Sequence, residues 1–271
     1  MIDKKRIDAL REAYKRSFIE PADTKKEPIL SIVTIYDAQT EAAWLDNFID
    51  NLPELSGTFE NDIEVCLVKV VKDKYTNEKP KPPHTRKGLH LSYYLVYLDE
   101  WDFAAARNAA KAAACGKWIL SLDTDESLDQ TEIVDLLTAL HTTPKGIGGY
   151  TVNICSPIGE GITFDTTKVT RVFRNLPNIN WECSVHEQVH YSIGVAGLKI
   201  SELPTTIFHA GYAVDNDTLL AKLERNLTMI CGEYTKQKQS HYKLFMRDYL
   251  FKTMKSIQEV EQAITNGVAY E

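Results

Sequence analysis

Apolar and polar positions change their spacing along the chain, and these changes predict helices and strands in turn. Residues 3–19 carry apolar side chains at helical spacing among Lys, Arg and Glu, which predicts an amphipathic helix ended by Pro21. Residues 29–35 are apolar and β-branched, as in a buried strand, and residues 63–71 repeat that pattern. Helical spacing returns between them, over residues 40–55. A strand, a helix and a second strand in this order predict the start of a parallel α/β sheet.

The same alternation continues through the middle of the chain. A strand-like run covers 89–98. An alanine-rich segment over 103–115 then predicts a helix that Asp102 caps and that Gly116 ends at the C′ position. The small alanine side chains allow this helix to lie close against a sheet. A further short strand is expected over 118–122.

One stripe of the alanine-rich helix is polar. Arg107, Asn108 and Lys111 are spaced i, i+1 and i+4, so their side chains share one side of the helix. Because the remaining positions are small and apolar, we expect this stripe to face polar partners.

The second half of the chain is β-rich and then helical. Asp129 and Glu132 resemble a capping box at the start of a helix that ends near Pro144. Two helical segments, 219–233 and 242–264, predict a hairpin near the end of the sequence. Short β-like runs lie between these helices, over residues 150–155, 170–173, 185–191 and 198–201.

Composition and charge exclude several classes of protein. The 271 residues are 44% hydrophobic and 25% charged, close to a globular average, which argues against a disordered or collagen-like chain. A net charge of −7 argues against general binding to polyanions. No apolar stretch is long enough for a membrane span, and the charged N-terminus lacks the apolar core of a signal peptide, so a cytoplasmic protein is expected. The five scattered cysteines show no metal-ligand spacing and are expected to be reduced thiols.

The segment over 69–90 stands out as basic and irregular. It holds seven Lys or Arg residues and three prolines, which predicts a long loop. Two interpretations remain open: a solvated surface loop, or a flap that meets an anionic ligand.

A pair of carboxylates follows the strand over 118–122. Asp123 and Asp125 are separated by one residue, so an extended backbone projects both side chains to the same side. Hard oxygen ligands suit Mg²⁺ or Mn²⁺, and open α/β sheets place their ligand sites at the carboxyl ends of strands. The alternative is that the two aspartates only shape a turn or cap the next helix.

The surroundings of this pair resemble a known family. Residues Asp102-Phe103-Ala-Ala-Ala-Arg107-Asn108, followed by Trp118-Ile-Leu-Ser-Leu-Asp123-Thr-Asp125-Glu126, are similar to the central stretch of family-2 glycosyltransferases. Three further elements match in the same order: Arg171-Val-Phe-Arg174-Asn175, Val185-His186-Glu187, and His209-Ala-Gly211-Tyr212. The resemblance covers about residues 29–213.

The resemblance implies an α/β fold of the GT-A type, with a Rossmann-like mixed sheet flanked by helices. Together with the helical spacing near both ends of the sequence, it predicts an N-terminal helix over 1–27, a glycosyltransferase domain over 28–213 and a C-terminal helical extension over 214–271. The expected reaction is transfer of a sugar from a nucleoside-diphosphate sugar, with UDP-sugars expected first, to an acceptor hydroxyl. The acceptor would be a glycan, a lipid, a peptide or modified DNA.

The resemblance also assigns roles to single residues. Asp123, Asp125 and His209 would hold Mn²⁺ or Mg²⁺ beside the diphosphate, and Glu187 would be the general base of an inverting transfer. The residues assigned to the nucleotide are Thr34, Tyr36, Asp37, Asp102, Arg107 and Asp123. The chain departs from the family after its first two strands, where it has Tyr36-Asp37 instead of the usual Asn-Glu and Lys69 near the usual aspartate.

Other interpretations of the same residues remain open. Asp123-Thr-Asp125 also resembles the nucleophile loop of haloacid-dehalogenase-type phosphatases, in which the first aspartate attacks phosphorus. A catalytically silent nucleotide-sugar-binding module is the non-enzymatic alternative. Glu187 fits a capping box with Ser184, Trp181 fits either a sugar-stacking floor or a core position, and His186 rather than His209 could meet the metal.

Overall fold

A computed structural model describes residues 28–37, 42–52, 59, 62–71, 90–99, 101–158, 163–210, 216–236, 240–267 and 270. The helix expected within 1–27 and most of the basic loop, residues 72–89, lie outside the described residues.

The described residues form a mixed α/β structure. Its strands are β1 (Leu30–Asp37), β2 (Ile63–Val71), β3 (His90–Tyr97), β4 (Trp118–Ser121), β5 (Glu126–Ser127), β6 (Ile147–Ile158), β7 (Thr163–Arg174) and β8 (Lys199–His209). Its helices are α1 (Ala42–Asp50), α2 (Phe103–Ala113), α3 (Gln130–Thr142), α4 (His190–Val195), α5 (Asn216–Lys236) and α6 (Ser240–Asn266).

All eight strands belong to one sheet, in the order β3-β2-β1-β4-β7-β6-β8-β5. The pairs β3–β2, β2–β1 and β1–β4 are parallel, whereas β7 is antiparallel to both β4 and β6. Strand β1 therefore has β2 on one side and β4 on the other, so the order of the strands in the sheet reverses at β1. In open α/β sheets, the crevice at the carboxyl ends of the strands beside such a reversal is where ligands bind. The fold class expected from the sequence is confirmed.

Each face of the sheet is covered by helices. On one face, alternate residues of β1 such as Leu30 and Ile32 pack in a core with Phe48 of α1 and Leu136 of α3. On the other face, Val33 and Ile35 join a core built with the alanines of α2. These alanines are buried, as expected of small side chains that bring helix and sheet close together: Ala104, Ala106, Ala109 and Ala110.

The polar stripe of α2 meets polar partners, as its spacing predicted. Asn108 donates to the Trp181 carbonyl at 2.9 Å and accepts from the Trp181 backbone N–H at 2.9 Å. The Lys111 ammonium donates to the Leu176 carbonyl at 2.9 Å. Arg107 reaches the edge of the sheet and belongs to the site described below.

Three of the predicted β-like runs belong to longer strands in the structure, and one is not a strand. Runs 150–155 and 170–173 are parts of β6 and β7, which pair along their length. Residues 199–201 of the last run begin β8. Run 185–191 is a loop followed by α4. Its apolar positions are buried without belonging to the sheet, because they pack beneath other elements. The apolar pattern of this run reflects burial and not strand pairing, which is why it was predicted as a strand.

Gly116 was expected to end α2 at the C′ position, and this prediction is wrong. The helix ends at Ala113 with Ala114 as its C-cap, so Gly116 lies further along the chain. Its backbone N–H instead donates to Ser31 Oγ at 2.8 Å and to Glu64 Oε1 at 2.9 Å. A β-carbon there would lie 2.5 Å from Ser31 Oγ and 2.8 Å from the Ser31 nitrogen. Close approach to β1, and not helix termination, requires the glycine.

Gly116→Ala is therefore expected to lower the free energy of unfolding by about 1–3 kcal/mol, because the added methyl group meets backbone that cannot move aside. Urea denaturation measures this change. Gly146→Ala is the matched control, since a β-carbon at Gly146 meets nothing within 4 Å. Equal stability of the two variants would contradict the close-approach role.

Two antiparallel helices follow the sheet, as the sequence predicted. They are α5 and α6, and they pack on each other and on the loop that precedes α4 through a third core of Cys183, Val185, Ile230, Tyr242 and Met246. Within the part of the chain that the structure describes, no helix has the length and apolar character needed to cross a membrane.

Candidate functional site

The candidate site lies where β1 and β4 end side by side. The Leu122 backbone N–H donates to the Val33 carbonyl at 3.1 Å, so the chain beyond β4 continues along β1 before it turns. Asp123 follows directly, at the carboxyl end of the parallel strands and at the reversal of strand order. The topology thus brings the predicted carboxylate pair to the edge where α/β sheets bind ligands.

Arg107 is the centre of the site. Its side chain reaches from α2 and is buried, with 6% of its surface exposed. The guanidinium donates from Nε to Glu187 Oε1 at 2.5 Å, from Nη1 to Ser121 Oγ at 2.7 Å and from Nη2 to Asp123 Oδ1 at 2.8 Å. One planar group therefore joins the carboxylate after β4 to the predicted general base, although 64 residues separate them in sequence.

The charges in this cluster stabilise one another. Burial acts to lower the pKa of Arg107, but the carboxylates of Asp123 and Glu187 outweigh it and raise that pKa above its usual range. Burial acts to raise the pKa of Asp123, and the two arginines Arg107 and Arg171 reverse this, so that the pKa lies below its usual range. Asp123 is therefore ionised and Arg107 charged at neutral pH.

A second arginine and a buried glutamate complete the cluster, and sequence reasoning did not identify them as functional. Arg171 donates from Nη2 to Glu126 Oε1 at 2.6 Å and to Asp123 Oδ2 at 3.3 Å. Glu126 also accepts the Asp123 backbone N–H at 2.9 Å. Burial, and then the charge of Asp123, raise the pKa of Glu126 to about 7. The sequence did contain a sign of both residues: Glu126 follows the aspartates directly, and Arg171 is a charged residue inside a strand.

Asp125 and His209 lie together on the open side of the cluster. The antiparallel pair of β5 and β8 places Glu126 opposite His209, and the Ala210 N–H donates to the Asp125 carbonyl at 2.9 Å. His209 Nε2 lies 3.3 Å from Asp125 Oδ2, and its Nδ1 lies 3.2 Å from Ser156 Oγ. The hydrogen bond to Asp125 raises the pKa of His209 against the opposing effect of burial. These two side chains are partly exposed, with 31% and 18% of their surfaces accessible.

The donor set fits a divalent cation only in part. Among the described residues no group of three or more His, Cys, Asp or Glu side chains is arranged to hold a metal ion. Asp125 and His209 supply one oxygen and one nitrogen donor within 3.3 Å of each other. Both oxygens of Asp123 are bonded to arginines instead. A cation here would be held by Asp125 and His209 and would need the oxygens of a ligand, as Mg²⁺ sites with few protein ligands do.

Glu187 does not begin a helix, so the capping-box alternative is wrong. Helix α4 begins at His190 with Val189 as its N-cap, and Val189 makes no side-chain capping bond. The Glu187 carboxylate is 15% exposed and points to Arg107. Trp181 is a core residue, 4% exposed and packed edge to face on Phe173 with ring centroids 4.7 Å apart, and it does not form an open sugar-stacking surface.

Four of the predicted nucleotide residues lie on β1 or at the start of α2: Thr34, Tyr36, Asp37 and Asp102. Thr34 is fully buried in β1, with its Oγ1 lacking a hydrogen-bond partner, and Tyr36 packs on Tyr93 with ring centroids 6.3 Å apart. Asp37 lies at the carboxyl end of β1. Asp102 caps α2 by accepting the Ala105 N–H at 2.8 Å. Their contacts with a nucleotide stay predictions.

The two histidines of the predicted motifs are separated. His209 lies beside Asp125, whereas the His186 ring stacks on Tyr249 of α6, with ring centroids 3.9 Å apart. Of the two, His209 is the one placed beside a predicted metal ligand. Gly211 and Tyr212 of its motif lie outside the described residues.

Sequence comparison finds a partial relative. No protein-family model matches the chain. A TPR repeat-containing protein of Synechococcus elongatus is 33% identical over 154 residues, which are 54% of this chain and 36% of that protein. The chain therefore spans little more than a third of the length of this curated relative.

One solved structure shares the architecture over most of the chain, and a second was compared with it. A mannosyltransferase of Pyrobaculum calidifontis, PcManGT, solved in complex with GDP-Man and Mn²⁺, aligns over 97% of this chain and 82% of its own, with a TM-score of 0.50 and 12% identity. S. aureus TarS aligns over 83% of this chain and 43% of its own, with a TM-score of 0.47 and 13% identity. At such identities the likeness concerns the fold alone. The chain thus has the mixed α/β architecture of a solved glycosyltransferase, as the resemblance in its sequence implied.

Proposed function

We propose that the chain is a metal-dependent, inverting glycosyltransferase that moves a sugar from a nucleoside-diphosphate sugar to an acceptor hydroxyl. The observation that carries the proposal is the Arg107 guanidinium, which joins Asp123 to Glu187 beside the Asp125–His209 pair. Two carboxylates with separate tasks, one near a diphosphate and one near an acceptor, are what such a transfer requires.

Asp125 and His209 are proposed to hold Mn²⁺ or Mg²⁺, and Asp123 to meet the nucleotide while fixed by its two arginines. The bound cation would supply a Lewis acid that neutralises charge on the departing diphosphate. The solved mannosyltransferase with the same fold, in complex with GDP-Man and Mn²⁺, supports a ligand and an ion of these classes. We propose residues 28–213 as the transferase unit and 214–271 as its helical extension.

Glu187 is proposed as the general base. The acceptor oxygen would attack the anomeric carbon as Glu187 takes its proton, and the bond from that carbon to the diphosphate oxygen would break, with its electrons leaving on the diphosphate. Attack opposite to the departing group inverts the anomeric centre. Arg107 holds Glu187 by Oε1 and keeps the carboxylate directed toward the cluster.

The phosphatase alternative is not supported by this geometry. Its nucleophile would be Asp123, and each Asp123 oxygen accepts a hydrogen bond from an arginine. A carboxylate held in this way, with its pKa lowered by Arg107 and Arg171, is a poor nucleophile.

A panel of sugar nucleotides tests the proposal. Purified protein is incubated with UDP-, GDP- and dTDP-sugars and Mn²⁺, without an acceptor, and release of free sugar is measured. We expect slow hydrolysis of one donor class, because water can replace the acceptor, and loss of that hydrolysis in EDTA. If every donor stays intact and no nucleoside diphosphate binds, the proposal is wrong.

Glu187→Gln is expected to lower kcat by about 100- to 10,000-fold, the range that a general base contributes. Glutamine keeps the side-chain length and an oxygen that can accept from Arg107, so affinity for the nucleoside diphosphate should change little. Steady-state kinetics and calorimetric binding of the nucleotide measure the two quantities separately. A Glu187→Gln protein with the full rate would remove the base assignment.

A further inference from the structure

The loop that carries Glu187 has an unusual backbone. We define the Glu187 loop as residues 182–188; its ends are joined by hydrogen bonds between the backbones of Glu182 and Gln188, at 2.9 and 3.0 Å. Cys183 and His186 have φ values of 73° and 51°, in the left-handed region that residues with a β-carbon rarely adopt. Such a backbone persists only where surrounding contacts hold it.

The hairpin of α5 and α6 supplies polar contacts to this loop. Glu233 of α5 accepts from the Ser184 hydroxyl at 2.7 Å and from the Ser184 backbone N–H at 3.4 Å. The Tyr242 hydroxyl of α6 donates to the Glu182 carboxylate. Both contacts are made with residues of the loop other than Glu187 itself.

An aromatic contact and an apolar core also join the hairpin to the Glu187 loop. The His186 ring, next to Glu187 in sequence, stacks on Tyr249 with an angle of 29° between the ring planes. Burial lowers the pKa of His186 against the opposing charge of Glu187, which favours the neutral ring in this stack. Cys183 and Val185 are buried in the core that the hairpin provides.

The other side of the loop is attached to the helix that carries Arg107. The Ser184 carbonyl accepts the backbone N–H of Phe103, the first residue of α2, at 2.9 Å. Ser184 thus links α2 on one side to Glu233 on the other. The Glu187 loop is therefore held between the helix of its arginine partner and the C-terminal hairpin.

We propose that the α5–α6 hairpin positions Glu187 for catalysis, with Glu233 and Tyr249 as positioning residues that act through Ser184 and His186. This inference rests on the proposed function. A general base must lie within hydrogen-bonding distance of the proton it takes, and a displacement of about 1 Å can reduce the rate by up to 100-fold. The hairpin thereby has a role in the transferase reaction without touching donor or acceptor.

Tyr249→Ala and Tyr249→Phe test the role of the stack. In Tyr249→Ala we expect faster hydrogen exchange at the backbone amides of Glu182 and Gln188, a fall in kcat of about 10-fold or more, and a donor KM within about 2-fold of the wild type. Tyr249→Phe keeps the ring and should restore both the exchange rates and kcat. Leu244→Ala is the control, since Leu244 belongs to the same helix but is 53% exposed.

Glu233→Ala and Glu233→Gln provide a second pair if Tyr249→Ala does not fold. Glutamine keeps an acceptor oxygen for Ser184, so it should rescue the kcat that alanine loses. Unchanged exchange in the Glu187 loop, or faster exchange with an unchanged kcat, would overturn the inference while leaving the transferase proposal intact. A wild-type protein that neither binds nor turns over any sugar nucleotide would overturn the proposed function and this inference together.

Discussion

Asp125→Ala is expected to reduce turnover of the sugar nucleotide by about 1,000-fold or more, equivalent to about 4 kcal/mol of transition-state stabilisation. Asp125 is partly exposed and bonded to His209, so its removal takes away the carboxylate donor of the proposed metal site. Because its side chain is 31% exposed, the free energy of unfolding should change by less than about 1 kcal/mol. Donor turnover with saturating Mn²⁺ and urea denaturation are the two measurements.

Asp135→Ala is the matched control for loss of one negative charge. Asp135 is exposed on α3. Its replacement should leave turnover within about 2-fold of the wild type, because an exposed charge away from special features contributes little. An Asp125→Ala protein as active as Asp135→Ala would exclude Asp125 from the catalytic site.

Arg107→Met is expected to lower the free energy of unfolding by about 3 kcal/mol and to abolish measurable transfer. Methionine fills most of the volume of the side chain, but Glu187 and Asp123 lose their shared cation and Ser121 loses its donor. Removal of one partner from a buried ion pair costs about 3–5 kcal/mol, and the lower end applies because Arg171 stays beside Asp123. Urea denaturation gives the stability change.

A double-mutant cycle separates the loss of the pair from a loss of packing. Adding Glu187→Gln to Arg107→Met removes the charge that the single change leaves without a partner. The combined loss should therefore be smaller than the sum of the two single losses by about 1 kcal/mol or more. Strict additivity would mean that the Arg107–Glu187 pair adds nothing to stability beyond what the two residues contribute separately.

The elements that position the site follow from local patterns. Buried β-branched runs predict β1 and β2, and the alanine-rich stretch between Asp102 and Gly116 predicts α2 and its polar stripe. The parallel arrangement then places the carboxylates after β4 at a sheet edge, whatever the family of the chain. Local sequence sufficed to predict these elements because the helical and strand patterns of apolar residues are visible within short segments of the chain.

The partners within the site did not follow from local patterns. Whether Arg171 meets solvent or Glu126 depends on β7 pairing with β4, a contact between distant parts of the chain. Residues 185–191 resembled a strand because Val185 and Val189 are buried. Val185, however, is buried in a core with Tyr242 and Met246 of α6. Such tertiary contacts override local preference, and one sequence carries no direct sign of them.

We propose above that Asp125 and His209 hold a divalent cation beside a diphosphate. Calorimetric titration of UDP and of GDP into the protein, with Mn²⁺ and then with EDTA, tests this claim without any turnover. We expect one nucleotide to bind with Mn²⁺ and to bind at least about 100-fold more weakly in EDTA, and the same weakening in Asp125→Ala with Mn²⁺ present. Equal affinity with and without Mn²⁺, or an affinity that Asp125→Ala leaves unchanged, would contradict the account.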